Sequence, residues 1–212
     1  MILPVAFYHR PTLEVARELL GKILVHKSSD GVTSGMIVEA EAYIGEDDPA
    51  CHAAAGRTVR NAPLYGPPGL AYVYLNYGLH DMVNAVTEAE GHPAAVLLRA
   101  LEPLEGLPLM RRRRAEAPWR KGKTTVPDHE LCRGPGNLTR AMGITLADNL
   151  RPLTRGVLTI QDQGLPTPLV VWDSRIGIRV GTDRAWRASI AGHRSVSGRP
   201  PVKIGVRSRN SQ

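Results

Sequence analysis

The chain has 212 residues, 42% of them hydrophobic and 22% charged, which is enough apolar material for a core and excludes an intrinsically disordered protein. Its length fits a single domain over residues 1–212. Its apolar runs are far shorter than the roughly 20 residues that cross a bilayer, and no signal-peptide pattern begins it, so we expect a cytoplasmic protein.

The net charge of +7 is unevenly distributed along the chain. Residues 1–110 contain 7 Lys and Arg against 13 Asp and Glu, residues 111–155 contain 11 against 4, and residues 175–212 contain 9 against 1. A basic surface concentrates polyanions and releases counterions from a phosphate backbone. Nucleic acid is therefore the leading class of partner.

The first predicted elements are a helix and two strands. Helix start and stop signals bound a helical apolar spacing between Pro11 and Gly21, and a strand over residues 22–27 follows. A second strand covers residues 34–43, where apolar and polar residues alternate. The alternation predicts Met36, Val38, Ala40 and Ala42 on one face, and Ile37, Glu39, Glu41 and Tyr43 on the other.

The remaining elements follow in chain order. Residues 45–68 are rich in Gly, Pro and Asp, as is typical of a functional loop, and they include His52, which by itself is more often a surface residue. Strands over 70–77 and 81–87 form a hairpin with Tyr77 at its tip. Further strands are predicted at 94–100, 157–162, 169–172 and 175–180, and helices at 103–114 and 135–142. This meander order favours an α+β domain built on an antiparallel sheet.

Acidic residues near the end of the second strand allow two interpretations. Glu39, Glu41 and residues 46–48, with His52 beyond them, offer oxygen ligands and an imidazole, as in a magnesium-dependent nuclease. The spacing of these residues is not diagnostic of a metal site. We therefore interpret Glu39 as an edge charge and residues 46–48 as a hydrophilic turn, and we expect no metal.

Glu41 differs from the other acids because it shares its strand face with Tyr43 in otherwise apolar surroundings. A partly desolvated carboxylate has a raised pKa and can act as a general base near neutral pH. Arg99 lies on a predicted buried strand, where an arginine requires an anionic partner. Glu41 is the natural candidate for that partner.

Tyrosines are concentrated on the strand that precedes the hairpin tip. Tyr72, Tyr74 and Asn76 face one side, while Tyr77 faces the other. Aromatic rings stack on nucleobases, and an amphipathic wedge fills the space of a displaced base. The alternative is that these tyrosines simply pack in the sheet, where tyrosine is common.

Three other features bear on function. The run from Arg111 to Arg114 reads as a solvated or phosphate-facing helix end. Residues 133–136 open a helix whose free amides suit a phosphate, although such residues also simply start helices. Cys51 and Cys132 form no paired spacing and are expected to be reduced. No phosphate loop, serine elbow or dinucleotide fingerprint occurs, so no organic cofactor is expected.

Four segments occur in an order that resembles the alkyladenine (3-methyladenine) DNA glycosylase family, which is known from mammals and bacteria. They are residues 38–43 (VEAEAY), 71–78 (AYVYLNYG), 97–106 (LLRALEPLEG) and 131–136 (LCRGPG). The resemblance extends from about Leu13 to Ser197. The chain lacks the long N-terminal tail of the mammalian proteins, which favours a bacterial origin. The resemblance implies a curved antiparallel sheet with flanking helices, similar to a formyltransferase C-terminal domain.

The resemblance also implies residue roles. Glu41 would activate the attacking water with Arg99 beside it, and the flipped base would stack among Tyr43, His52 and Tyr74, with Asn84 excluding guanine. Tyr77 would intercalate in the duplex. The DNA contacts expected around this residue are Leu79, His80, Arg114, Gly134 and Gly136.

The implied reaction is hydrolysis of the N-glycosidic bond of alkylated or deaminated purines, the 3-methyladenine and hypoxanthine class, in double-stranded DNA. Flipping such a base costs a few kcal/mol, least at a damaged pair. We expect a monomeric, monofunctional repair enzyme without a lyase step, acting at the nucleoid. A metal-dependent nuclease and a catalytically silent damage-binding protein remain as alternatives. The Leu79-His80 pair and the Ala185-to-Ala188 segment depart from the family pattern.

Overall fold

One antiparallel sheet organises the protein, whose computed structural model describes residues 1–117 and 125–198. Its central strands follow the order β3-β4-β5-β2-β1-β6, and β8 pairs with both β2 and β7. The strands are β1 Ile23–Ser28, β2 Gly31–Ile44, β3 Ala71–Asn76, β4 His80–Val86, β5 Ala94–Glu105, β6 Leu158–Gln161, β7 Val170–Asp173 and β8 Arg187–Ile190. The predicted α+β architecture is confirmed.

Within the described residues, four α-helices accompany the sheet: α1 Val5–Tyr8, α2 Thr12–Leu19, α3 Leu107–Ala115 and α4 Pro135–Met142. Apolar residues of α2 and α4, such as Leu19 and Leu138, are fully buried against strand residues such as Leu98. Burial of side chains of this size contributes about 1.5–3 kcal/mol each. The main core therefore lies on one face of β2 and β5, and the opposite face is left for polar side chains.

The strand faces predicted for β2 are partly wrong because the strand contains a bulge. Ile37 pairs with Leu101 and Glu39 pairs with Ala100, so Val38 is an extra residue in the ladder. A bulge places two consecutive residues on one face and reverses the alternation. Ile37 thus joins Ala40 and Ala42 in the main core, whereas Met36 and Val38 pack in a smaller cluster.

Other predicted boundaries also needed correction. The strand predicted over 94–100 continues through Pro103 to Glu105, because Pro103 lies opposite Gly35 at a register shift, and the helix begins only at Leu107. Residues 175–180 do not form a strand, whereas β8, which was not predicted, is present and pairs with β2. The short helix α1 was also missed.

Parts of the basic second half of the chain, residues 118–124 and 199–212, lie outside the described residues. No helix within residues 1–117 and 125–198 is long and apolar enough to cross a bilayer.

Candidate active site

A cavity of about 640 Å³ opens on the face of the sheet opposite the main core. Its walls come from β2 to β5, from the loop over residues 45–68 and from a second loop over residues 174–186. The residues predicted from sequence that line it are Tyr43, His52, Tyr74, Tyr77, Asn84 and Arg99. Elements distant in sequence thus bring these side chains to one place.

Glu41 is fully buried, and its carboxylate contacts three residues that line this cavity: Tyr43, Arg99 and Ile176. Its Oε2 accepts a hydrogen bond from the Tyr43 hydroxyl at 2.9 Å and lies 3.2 Å from Nη1 of Arg99. Its Oε1 accepts the backbone N–H of Ile176 at 2.7 Å. Burial raises the pKa of Glu41, although Arg99 and both hydrogen bonds act in the opposite direction. The carboxylate is therefore oriented by residues that line the cavity, and its basicity is increased.

Arg99 reaches Glu41 because β5 is irregular at this point. Ala100 pairs with Glu39 and Leu98 pairs with Ala40, so Arg99 has no partner in the ladder. Bulges frequently redirect a side chain next to a functional site. The predicted Arg99–Glu41 ion pair is present in the structure.

One wall of the cavity is aromatic. His52 Nδ1 lies 2.9 Å from the Tyr72 hydroxyl, and the ring of His52 meets that of Tyr74 edge to face at 4.5 Å between centroids. Partial burial lowers the pKa of His52, and the positive charge of Arg60 lowers it further. Burial raises the pKa of Tyr74 to about 12. At neutral pH this wall therefore presents neutral rings to the cavity.

Asn84 is buried on β4, where it pairs with Tyr72. Its Nδ2 donates to the Tyr72 backbone carbonyl at 2.9 Å, which fixes the orientation of the amide at the cavity wall. Asn84 therefore belongs to the same hairpin as the Tyr72 and Tyr74 rings.

A buried ion pair joins the two loops around the cavity. Arg175 Nη2 donates to Asp48 Oδ1 at 2.7 Å and Nη1 donates to the Ala42 carbonyl at 3.0 Å, while the guanidinium lies 4.7 Å from the centroid of the Tyr43 ring. The Arg175 side chain and that of Asp48 have no exposed surface. Asp48 is therefore not part of a hydrophilic turn, and that interpretation was wrong for this residue.

The β3–β4 hairpin carries the most exposed aromatic side chain near the cavity. Tyr77 is 87% exposed and has a φ of 49°, a conformation that is rare for a residue with a side chain. It precedes Gly78, whose φ is also positive, in a turn closed by the Leu79 N–H and the Asn76 carbonyl at 3.0 Å. Leu79, beside it, is 59% exposed. The strained backbone thus holds an apolar tip in solvent.

The α4 N-terminus lies next to this tip. His80 packs so closely on Gly136 that a Cβ there would approach the imidazole to 2.7 Å, and Gly134 caps the helix with a φ of 94°. The Arg111 and Arg112 side chains are exposed as predicted, but Arg113 and Arg114 are buried, contrary to the prediction for this run. Arg113 donates from Nη2 to the Ser28 hydroxyl at 2.8 Å, and Arg114 donates from Nη1 to the Leu131 carbonyl at 3.0 Å. Arg114 therefore stabilises the fold and does not belong to a DNA-facing surface.

Sequence reasoning missed three contributors to the site: the backbone N–H of Ile176, Arg175 and Arg187. All three belong to the segment that follows β7 and ends in β8. The glycines at 177 and 181 signal a loop there, but no local pattern shows that this loop reaches Glu41. Likewise Glu39, interpreted as an edge charge, is fully buried.

The acidic side chains considered as metal ligands have other partners. Asp48 binds Arg175, Glu39 binds Arg187, and Glu46 accepts from the Tyr65 hydroxyl at 2.8 Å. Over the described ranges, no three His, Cys, Asp or Glu side chains are grouped as metal ligands would be. Cys51 and Cys132 are both buried and free.

Comparison with known proteins shows which family has a similar sequence. The model of the methylpurine-DNA glycosylase family matches residues 6–194. A relative from Methanocella arvoryzae is 48% identical over 96% of this chain and 99% of its own length, and one from Burkholderia lata is 46% identical over 93% and 91%. Both carry the name "Putative 3-methyladenine DNA glycosylase".

Proposed function

Because the chain belongs to the methylpurine-DNA glycosylase family, we propose that this DNA glycosylase flips alkylated or deaminated purines out of duplex DNA and hydrolyses their N-glycosidic bonds. The substrates are of the 3-methyladenine and hypoxanthine class. The observation that carries the proposal is the position of Glu41, a buried carboxylate with raised basicity that contacts residues lining an aromatic cavity. The same cavity is lined by Tyr77, an exposed tyrosine in a strained turn.

The cavity suits a flipped purine. Tyr43, His52 and Tyr74 supply neutral rings on which a base can stack, and stacking on an aromatic side chain contributes about 1–3 kcal/mol per base. The fixed Asn84 amide adds a polar group to the cavity wall, and a bound purine must fit beside it in shape and hydrogen bonding. Tyr77, with Leu79 beside it, would occupy the space that the base leaves in the duplex.

Glu41 acts on the water that attacks C1′ of the nucleotide. As the C1′–N bond breaks, its electron pair passes to the purine, and the ionised carboxylate stabilises the positive charge that develops on the sugar. The carboxylate then takes the proton of the water that forms the C1′–O bond. A cationic alkylated purine leaves as a neutral base, and hypoxanthine takes up a proton as it leaves. Arg99, the Tyr43 hydroxyl and the Ile176 N–H keep the carboxylate in one orientation. Of the described residues, only Lys22 and Lys27 are lysines, and neither lines the cavity, which supports hydrolysis without a Schiff-base lyase step.

We further propose that the protein is a monomeric enzyme of base-excision repair that acts on chromosomal DNA in a bacterial cytoplasm. Its DNA-contacting residues are Tyr77, Leu79, His80, Gly134 and Gly136. These residues form one continuous edge, because His80 rests on the first turn of α4.

The test is single-turnover release of hypoxanthine and 3-methyladenine from duplex DNA in EDTA, comparing the wild type with Glu41→Gln. The wild type should release base, and the variant should bind the lesion but lose about 10²–10⁴-fold in rate. Equal rates in both proteins would remove Glu41 from its role. Strand cleavage that EDTA abolishes would indicate a nuclease, and binding without release would indicate a damage-binding protein.

A further inference from the structure

Glu39 lies two residues before Glu41 on β2 and is equally buried. Its Oε2 accepts the Ser197 N–H at 2.8 Å, and its Oε1 lies 3.0 Å from Nη1 of Arg187. The same Oε1 lies 3.5 Å from Nε of Arg99. Two fully buried carboxylates are thus joined through one guanidinium.

The guanidinium of Arg99 is held from several sides. It lies between Glu39 and Glu41, and its Nη2 donates to the Ser197 hydroxyl at 3.3 Å. Arg187, the second cation that contacts Glu39, is itself fixed by the Ser174 carbonyl at 2.8 Å and by Asp173 at 2.7 Å. The arrangement is a row of alternating charges that ends at Glu41.

We propose that Glu39 is a positioning residue for the reaction: together with Arg187 it holds Arg99 between two carboxylates and limits the positive charge that Arg99 presents to Glu41. An arginine paired with Glu41 alone would stabilise the ionised carboxylate more strongly and make it a weaker base. Because all these side chains are buried, their interactions are screened less than at the surface. This inference rests on the proposed role of Glu41.

Other groups also influence Glu41 and must be kept constant in a test. The Tyr43 hydroxyl on β2 and the Ile176 N–H in the loop over residues 174–186 donate hydrogen bonds to Glu41. Tyr74 on β3 and the Arg175 guanidinium in the same loop interact with it electrostatically. None of these four is an ion-pair or hydrogen-bond partner of Glu39. Substitutions at Glu39 and Arg187 therefore change the charge around Arg99 and leave these four groups in place. Arg187 is also the β8 residue opposite Glu41 in the ladder, so its charge acts on Glu41 both directly and through Glu39 and Arg99, with the same sign.

The experiment compares the wild type with Glu39→Gln, Arg187→Gln and the control Asp173→Asn. Asp173 belongs to the same row of charges but its side chain is 47% exposed and does not contact Arg99. The titration of Glu41 is measured by carboxyl ¹³C NMR on the free protein. The pH dependence of single-turnover base release is measured separately, and thermal unfolding verifies that each variant is folded.

The two buried substitutions should act in opposite directions. In Glu39→Gln, Arg99 pairs with Glu41 alone, so the midpoint of Glu41 titration and the acid limb of the rate profile move to lower pH. In Arg187→Gln, Glu39 loses its second cation and pairs more strongly with Arg99, so Arg99 stabilises the ionised Glu41 less. The midpoint of Glu41 titration and the acid limb then move to higher pH. The plateau rate of Glu39→Gln should fall less than the about 10²–10⁴-fold expected for Glu41→Gln. Asp173→Asn should move the midpoint less than either buried substitution, because its half-exposed carboxylate is screened by water and acts on Arg99 through Arg187 and Glu39.

A purely structural role for Glu39 would lower the rate at every pH without moving the midpoint, and that result would overturn the inference. Shifts of both variants in one direction would overturn it too. If one variant does not fold, the direction of the shift in the other decides. A shifted Glu41 titration in a protein that releases no base would support the role of Glu39 and reject the proposed function. Base release together with an unchanged midpoint of the Glu41 titration in both variants would support the proposed function and reject the role of Glu39.

Discussion

At the scale of the residue, Tyr43 and Glu41 show how one hydrogen bond tunes a buried base. Burial raises the pKa of Glu41, while the hydroxyl of Tyr43, 2.9 Å from Oε2, favours the ionised form and lowers it. The raised pKa means that the active carboxylate is lost as pH falls through it. The wild-type rate should accordingly decline on the acid side at a pH above the usual range of a glutamate.

Removing the Tyr43 hydroxyl should shift the acid limb of the pH–rate profile in a direction that the structure gives. In Tyr43→Phe the ring remains for stacking, but the ionised form of Glu41 loses a donor, so the acid limb should move to higher pH. Tyr8→Phe is the matched control because Tyr8 is buried in the main core, away from the cavity. Single-turnover base release against pH measures both variants, and an acid limb that stays in place in Tyr43→Phe would contradict the account of Glu41.

At the scale of the element, the Asp48–Arg175 ion pair ties together the two loops that enclose the cavity. In Asp48→Asn a buried guanidinium loses its anionic partner, which typically costs about 3–5 kcal/mol. Asp47→Asn, one residue earlier at an exposed position, should change the free energy of unfolding by less than about 0.5 kcal/mol. Chemical denaturation at neutral pH measures both values; similar losses would show that the pair does not stabilise the fold.

The same pair has a pH dependence. Its hydrogen bonds and charge hold the pKa of Asp48 below the usual range despite desolvation by burial. Because the folded-state pKa is depressed, the stabilisation is present above the unfolded-state pKa and is lost as pH falls through the folded-state value. Asp48→Asn should lack this part of the acid destabilisation.

The exposed Tyr77 in the hairpin between β3 and β4 leads us to expect that its substitution affects base release from duplex DNA and from single strands differently. Tyr77→Ala removes the exposed ring that would fill the vacated space in a duplex, so base release from duplex DNA should fall more than release from a single strand, which needs no wedge. Leu75→Ala removes another exposed side chain of the same hairpin and serves as control. Equal losses on duplex and single strand in Tyr77→Ala would count against the wedge.

At the scale of the whole molecule, charge is the property that bears on DNA affinity. Residues 111–155 and 175–212 contain an excess of Lys and Arg. The logarithm of the association constant for undamaged duplex DNA should therefore fall linearly with the logarithm of the salt concentration. The single-turnover rate at saturating enzyme should vary little with salt, because the contacts of Glu41 are buried. Fluorescence anisotropy and base release over one salt series test this, and salt-independent affinity would exclude the predicted phosphate contacts.

The sequence by itself determined the α+β class, the hairpin with Tyr77 at its tip and the pairing of Glu41 with Arg99. These followed from local alternation, from turn chemistry and from the cost of burying an unpaired arginine. The motif order also identified the family, which the match over residues 6–194 confirmed.

Only the tertiary structure decided which polar residues are buried together. Bulges at Val38 and Arg99 reversed the alternation on β2 and β5, and no local pattern signals them. The Ile176 N–H and Arg187 reach Glu41 and Glu39 across more than a hundred residues of chain, because β8 pairs with β2. For the same reason Asp48 and Glu39 looked like surface charges in the sequence. Whether a charged residue is solvated depends on the cation that the fold places against it, and that cation lies far away along the chain.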